Sequence, residues 1–262
     1  MILRRLSQSL KEQNWTAIVI EFVLLVSGVF LGIQVSNWNE QRAEARLAKD
    51  YVHRLIQDLN HNHDEVRMQA DYYADVLRST LRTDELLSAA NPDPRELVLN
   101  AYRATEVAYS APVRATWDQI VSSGRLGLLP ARAAESSLFD YYSFDTAQDL
   151  YRMGVGSPYR QTVRKIIPLK LQIVIRENCS DVRDNEGRII AFEKQCKLDV
   201  DPATLKEAAA ALRSDPAVAA ELRYQYSFAY SATLNLNSVR ISIEGALAAL
   251  GAEPKVAAEA SP

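Results

Sequence analysis

The sequence predicts an all-α protein. A transmembrane helix near the N-terminus continues into a long stalk helix, and the stalk packs in an extracytoplasmic helical bundle with one small disulfide-closed hairpin. Three observations predict this. "TAIVIEFVLLVSGVFLGIQVSNWNE", Thr16 to Glu40, is apolar over a membrane length, with Glu21 and Gln34 as its only acid and amide before Ser36. Beyond it, apolar residues recur at threes and fours, and neither Pro nor Gly stands between Gly32 and Pro92. Only 9 glycines and 10 prolines occur in 262 residues, so few positions interrupt a helix.

The net charge of −3 provides no basic face for phosphate neutralisation, which excludes nucleic acid as a partner. Trp15 and Trp38 bracket the apolar run as interfacial anchors. The 23 steps between them rise about 34 Å, a hydrocarbon core plus its edges. Residues 16–36 therefore read as a membrane span in contact with lipid. Arg4, Arg5 and Lys11 precede it as in a signal peptide. However, the run is too long for an h-region and no Ala-x-Ala site follows, so it reads as an uncleaved signal anchor. The second apolar run, 166–175, is too short to span and carries Lys170.

Lys and Arg counts nearly tie across the span: Arg4, Arg5 and Lys11 before it, Arg42, Arg46 and Lys49 after it. Charge alone leaves the orientation open. The short tail with its free amine favours residues 1–15 in the cytoplasm of a bacterial inner membrane, with 37–250 in the periplasm. The two cysteines, Cys179 and Cys196, add weight. They flank "SDVRDNEGRIIAFEKQ", where Asn185-Glu186-Gly187 signals a turn, so 176–199 reads as a hairpin closed by a disulfide in an oxidising compartment. Two unpaired thiols in a reducing compartment are the alternative.

The stalk, 38–88, carries the stripe Leu47, Tyr51, Leu55, Leu59, Val66, Ala70, Tyr73, Leu77 and Leu81. That stripe is narrow, so the stalk packs along one seam. "NPDP" at 91–94 is a turn. Helices are expected over 95–109, over 113–123 with Gly124 as C-terminal cap, from Pro130 to 153, and over 159–175 with a kink at Pro168. Asp201 and Pro202 cap and open another. A last helix covers 216–250. Its "LNLNSVRISI" alternates like a strand, but Tyr226, Tyr230, Thr233, Val239, Ile243, Leu247 and Leu250 fit a helical stripe. Stalk and last helix are the expected antiparallel partners, and 251–262 reads as a disordered tail.

"IEFVLLVSGVFLGIQVSNWNEQR" resembles the anchor of a family of bacterial single-pass membrane proteins without an established activity. In that family a Glu-bearing apolar helix runs into an Asn-Asn-Trp-Asn-Glu-like signature. Gln34, Asn37, Trp38, Asn39 and Glu40 match it, and Ser36 stands where the family often has Asn. "TWDQIVSSGRLGLLPARAAESSLFDYY", 116–142, is similar to the family's second block. The two blocks cover about a fifth of the chain. The resemblance implies a membrane-anchored helical protein and leaves its function open.

Glu21, Gly28, Gly32 and Ser36 fall on one face of the span, and Gly28-x-x-x-Gly32 permits close helix approach. Glu21 is either shielded on that packing face or reaches the headgroups. His61 with Asp64 offers metal-ligating types at helical spacing, although a closed site needs ligands from elsewhere and a solvated polar face is the favoured reading. Trp117, Tyr141, Tyr142, Tyr226 and Tyr230 read as core aromatics of the bundle or as the lining of a pocket. No P-loop, Rossmann fingerprint, CxxC or nucleophile elbow occurs. The expectation is a protein without catalytic activity or cofactor, which forms homo-oligomers or binds another envelope membrane protein. A small-molecule-sensing bundle that signals through a membrane partner is the second reading, and a metal enzyme using the stalk histidines the third.

Overall fold

A computed structural model describes residues 15–134, 138–179, 181–185 and 187–254. The expected cytoplasmic tail with Arg4, Arg5 and Lys11 lies outside the described residues, as do the side chain of Trp15 and the end of the expected disordered tail, 255–262. The all-α class holds. Helices α1 (Trp15–Ser88), α2 (Pro94–Arg103), α3 (Ala115–Ser122), α4 (Ala131–Ala134), α5 (Leu138–Ser143), α6 (Thr146–Val155), α7 (Pro158–Ile166) and α8 (Leu169–Asn178) precede a two-stranded hairpin of β1 (Asp181–Arg183) and β2 (Ile189–Phe192). Helices α9 (Pro202–Ser214) and α10 (Pro216–Ala249) follow it.

The chain divides into two compact units, 1–52 and 53–262. In the first, α1 exposes every residue from Val19 to Arg46. Among the described residues, α1 is the one helix long and apolar enough to cross a membrane, and none of its apolar window is buried.

In the second unit α1 buries Leu55, Leu59, Val66, Ala70 and Tyr73, as the stripe requires. Leu81 departs from it and is 47% exposed. Ser79, Thr80 and Thr83 turn inward in its place. They can do so because Thr80 and Thr83 donate their hydroxyl protons to the Val76 and Ser79 carbonyls of their own helix. The buried face is also wider than a seam, since Asn62, His63, Glu65 and Gln69 are enclosed with the apolar residues. Helix α10 packs antiparallel to this stretch: His63 meets Glu244, while ten residues on Tyr73 meets Phe228.

Four helices start with one device, a capping side chain followed by proline. Asp93, Ser157, Asp201 and Asp215 each accept a first-turn amide proton, and Pro94, Pro158, Pro202 and Pro216 take the first helical position, where no donor is needed. The expected kink at Pro168 is a full break between α7 and α8. The proline removes a donor, and the Gln172 amide fills the gap by donating to the Arg164 and Ile167 carbonyls at 2.7 and 2.8 Å. The helix expected over 95–109 ends at Arg103. Thr105 turns back to bond the Tyr102 carbonyl, and 104–114 continues without regular structure. The helix expected from 130 to 153 is divided into α4, α5 and α6, because Asp145 captures the Gln148 amide and starts α6 anew. Helix α6 then approaches α10 closely at Gly154, where a Cβ would collide with the side chains of Val107 and Phe228.

One core gathers Leu97, Tyr102, Tyr159, Val163, Leu171, Ile175 and Leu212 from α2, α7, α8 and α9. A smaller one joins Tyr72 and Val76 of α1 to Phe192 of β2 and Ala229 of α10. Strands β1 and β2 pair antiparallel with Asp181 opposite Phe192 and a bulge after Val182. Gly187, at φ +82°, supplies the left-handed position of the turn.

Candidate functional site

The residues of the expected anchor keep free surfaces. Glu21 and Ser36 are exposed, and an added Cβ at Gly28 or Gly32 would meet nothing within 4 Å. Trp38 is 52% exposed with the Arg42 guanidinium 3.7 Å from its ring centroid, a cation–π contact.

The aromatic residues do not form one group. Trp117 stacks on Tyr142 with ring centroids 5.0 Å apart and meets Phe139 edge-on at 4.9 Å. Trp117 and Tyr142 are both buried, so these two are core. Tyr141 touches Tyr142 edge-on and extends toward Asn62. Burial pushes the hydroxyl pKa of Tyr141 and of Tyr142 well above the ordinary tyrosine value. Tyr226 and Tyr230 lie elsewhere, on the outside of α10. They are 42% and 47% exposed and stack on each other at 6.0 Å. For these two the core reading is corrected. Helix α10 directs Phe228 and Ala229 inward, and Tyr226 and Tyr230 fall on the opposite face.

The histidines are separated too. His61 is an exposed neighbour of Glu65 at 3.9 Å, whereas His63 turns inward and meets Glu244 at 3.0 Å. The hydrogen bond with His63, aided by Arg240, holds the Glu244 carboxyl below the usual range. Among the described residues no group of three or more His, Cys, Asp or Glu is placed to hold a metal, and His61 and Asp64 acquire no third ligand.

Cys179 and Cys196 form the expected disulfide, with Cα atoms 4.5 Å apart. The hairpin it closes is fastened twice more. Arg103 donates to the Cys179 and Glu193 carbonyls, at the two ends of the hairpin. Tyr72 of α1 donates to Asp181 at 2.8 Å and packs its ring on Phe192 at 4.8 Å. Behind Tyr102 lies a buried charge cluster that sequence reasoning missed. Glu106 is 5% exposed and has Arg164, Arg160 and Arg176 at 3.0, 3.7 and 3.9 Å. The Arg164 guanidinium also lies on the Tyr102 ring at 3.4 Å, and burial lowers its pKa. Glu106 is 54 residues or more from each of these arginines, so no local pattern announces the cluster.

The outer face of α10 is a long exposed surface without charge. From Tyr224 to Val239, sixteen consecutive residues include no charged side chain, in a chain of which 24% is charged; Arg223 and Arg240 end the run. Its exposed members are Tyr224, Tyr226, Ser227, Tyr230, Ser231, Leu234, Asn235 and Ser238. Tyr230, Leu234, Asn237 and Ile241 step by four, three and four, the spacing of a coiled-coil seam with one polar residue in it. The surface continues past Tyr226 into a groove of about 260 Å³ that reaches Leu81 of α1. Depletion of charge with enrichment of tyrosine is what distinguishes the centre of a protein interface from ordinary surface. A charge count along the sequence would have found this run. Comparison with family models, curated proteins and solved structures returns no match for the chain.

Proposed function

We propose that the protein is a single-pass membrane-anchored assembly protein. Its helical domain lies outside the cytoplasm and binds a protein partner of the envelope, a further copy of itself included, through the outer face of α10. The observation that carries this reading is the uncharged run of Tyr224 to Val239 with Tyr230, Leu234 and Ile241 exposed along one line. Lysine, glutamate and arginine normally keep such a helix face solvated, and their absence over four turns leaves apolar and hydroxyl surface that a partner can desolvate. The exposed apolar turns of 19–36 supply the anchor, and the Cys179–Cys196 disulfide favours an oxidising compartment for the domain.

A photo-cross-linking residue at Leu234 in native membranes tests the interface, with the same residue at exposed Glu207 of α9 as control. Discrete protein adducts from position 234 and none from 207 are expected. Equal labelling from both positions, or none from 234, overturns the reading. Labelling of the cysteines by a membrane-impermeant thiol reagent in spheroplasts tests the compartment. Reaction only after reduction is expected; reaction only after the membrane is broken, without reductant, would put the domain in the cytoplasm.

A further inference from the structure

A second feature of the helical domain has a different chemistry. Between α10 and the corner joining α5 to α6 there is an open cavity of about 400 Å³, walled by Tyr141, Phe144, Ser238, Val239 and Ser242, with Asp140 at its side. Tyr141, Phe144, Thr146 and Val239 also line a second, narrow recess of about 20 Å³, which reaches Gln69 on α1 and Asp145. A recess of that size holds one water-sized group.

The charged side chains lining this space are all carboxylates, Glu65 and Asp145 in the recess and Asp140 in the outer cavity, and the Tyr141 hydroxyl beside them can accept as well as donate. Gln69 is 6% exposed, and its Oε1 is buried without a partner, an acceptor that costs free energy until a donor reaches it. Ser238 and Ser242 already donate their protons to the Leu234 and Ser238 carbonyls, so what they offer is lone pairs. Asn62, beside the recess, exchanges both its amide donor and its carbonyl with the Val113 backbone. Asp145, which accepts the Gln148 amide and Tyr109 hydroxyl protons, lines the recess, and Asp140 lines the outer cavity. Among the described residues lining either cavity there is no Lys, Arg or His. Phe144, 72% exposed, and Tyr141 present aromatic surface at the mouth.

We infer that this pair of cavities binds a primary organic ammonium. The –NH3+ group enters the narrow recess toward Gln69 and Asp145, and an apolar or aromatic body of the ligand fills the outer cavity against Phe144, Tyr141 and Val239. A primary ammonium is three donors and no acceptor, which matches walls that offer acceptors and π faces. The water-sized recess admits –NH3+ and rejects a trimethylated head. This site shares Ser238 and Val239 with the uncharged run of α10, whereas Tyr230, Leu234 and Ile241 line neither cavity.

The full chain in detergent micelles is titrated with phenethylammonium, its N-trimethyl analogue and 3-phenylpropionate, with melting temperature as the readout. At ten times its dissociation constant, phenethylammonium is expected to raise the melting temperature by about 3–5 °C. The trimethyl analogue is expected to bind at least about tenfold more weakly, and the carboxylate to produce no shift. Gln69→Leu keeps the volume, removes the acceptor and is expected to weaken phenethylammonium about tenfold. Val239→Trp fills the recess and is expected to abolish the shift, with the helical circular dichroism retained. The inference is overturned if the three probes shift the protein alike, if none does at 10 mM (roughly the weak limit for a ligand of this size), or if Val239→Trp still responds. Cross-linking from Leu234 is expected to be unchanged in Gln69→Leu, so failure of this site and failure of the α10 interface are separate results.

Discussion

Two groups of aromatic residues use the same ring chemistry in opposite ways. Trp117, Phe139 and Tyr142 stack among themselves, and the first and last of them are sealed from solvent. Tyr226 and Tyr230 also stack on each other, yet nearly half of each remains exposed, on a helix face without charge. Ring–ring contact is thus no sign of burial by itself. What separates the groups is the other side of each ring. The first group has α1, α3 and α5 around it, for Thr116 bonds Asp58 of α1 and Trp117 carries Phe139. The second has solvent, and in the proposed assembly a partner. The inner rings should govern stability and the outer rings association.

The largest test of that division is Trp117→Ala, expected to destabilise the fold by about 3–5 kcal/mol in urea denaturation, because a buried ring leaves a cavity. A loss below 1 kcal/mol would mean that the inner group is not core. Glu106→Gln extends the test to the polar interior. It leaves Arg160 and Arg164 without their countercharge and should cost about 3–5 kcal/mol by the same measurement. Cys196→Ser probes Phe192, an intermediate case, since its ring is buried only while the hairpin lies on Tyr72. Opening a loop of this length should cost about 3 kcal/mol in calorimetry.

Glu244 gives a smaller effect with a pH signature. Its folded-state pKa lies below the ordinary 4.5, so the stability it contributes is complete above that value and is lost as pH falls through the lower, folded one. The difference between wild type and Glu244→Gln should be below about 1 kcal/mol at pH 6 and fall away as acid titrates the Glu244 carboxylate of the folded protein. Tyr230→Ala combined with Leu234→Ala closes the series. Stability should move by no more than about 0.5 kcal/mol, while cross-linking from a probe at Ile241 disappears. A large stability loss here would erase the distinction between outer and inner rings.

Much of this was legible in the sequence, and the failures have physical causes. The unbroken course of α1 after Gly32 follows from the absence of Pro and Gly as far as Pro92, and Asp201-Pro202 marks the start of α9 as read. The disulfide and its hairpin follow from two cysteines around a turn signal. Leu81 misled because helical periodicity counts only apolar residues, whereas Thr80 and Thr83 enter the interior by bonding their own backbone. The break at Arg103 was hidden because its cause is tertiary, Glu106 drawn in by arginines of α7 and α8. Tyr226 and Tyr230 were read inward because they extend the helical stripe of Ile243 and Leu247, which is buried, and the lack of charge around them was the signal passed over. The cavities at Gln69 depend on three distant segments meeting, which no spacing encodes.

The hairpin has a consequence for how the molecule meets changing redox conditions. Its closure rests on a covalent bond, a guanidinium bridging both ends and an aromatic clamp, three chemistries with separate sensitivities. A reductant removes the first and leaves the other two, which hold the two thiols at a high effective concentration for each other. Reoxidation is then an intramolecular closure favoured over pairing with a foreign thiol. A reduced molecule keeps the memory of its own bond, and brief exposure to reductant should leave no scrambled product behind.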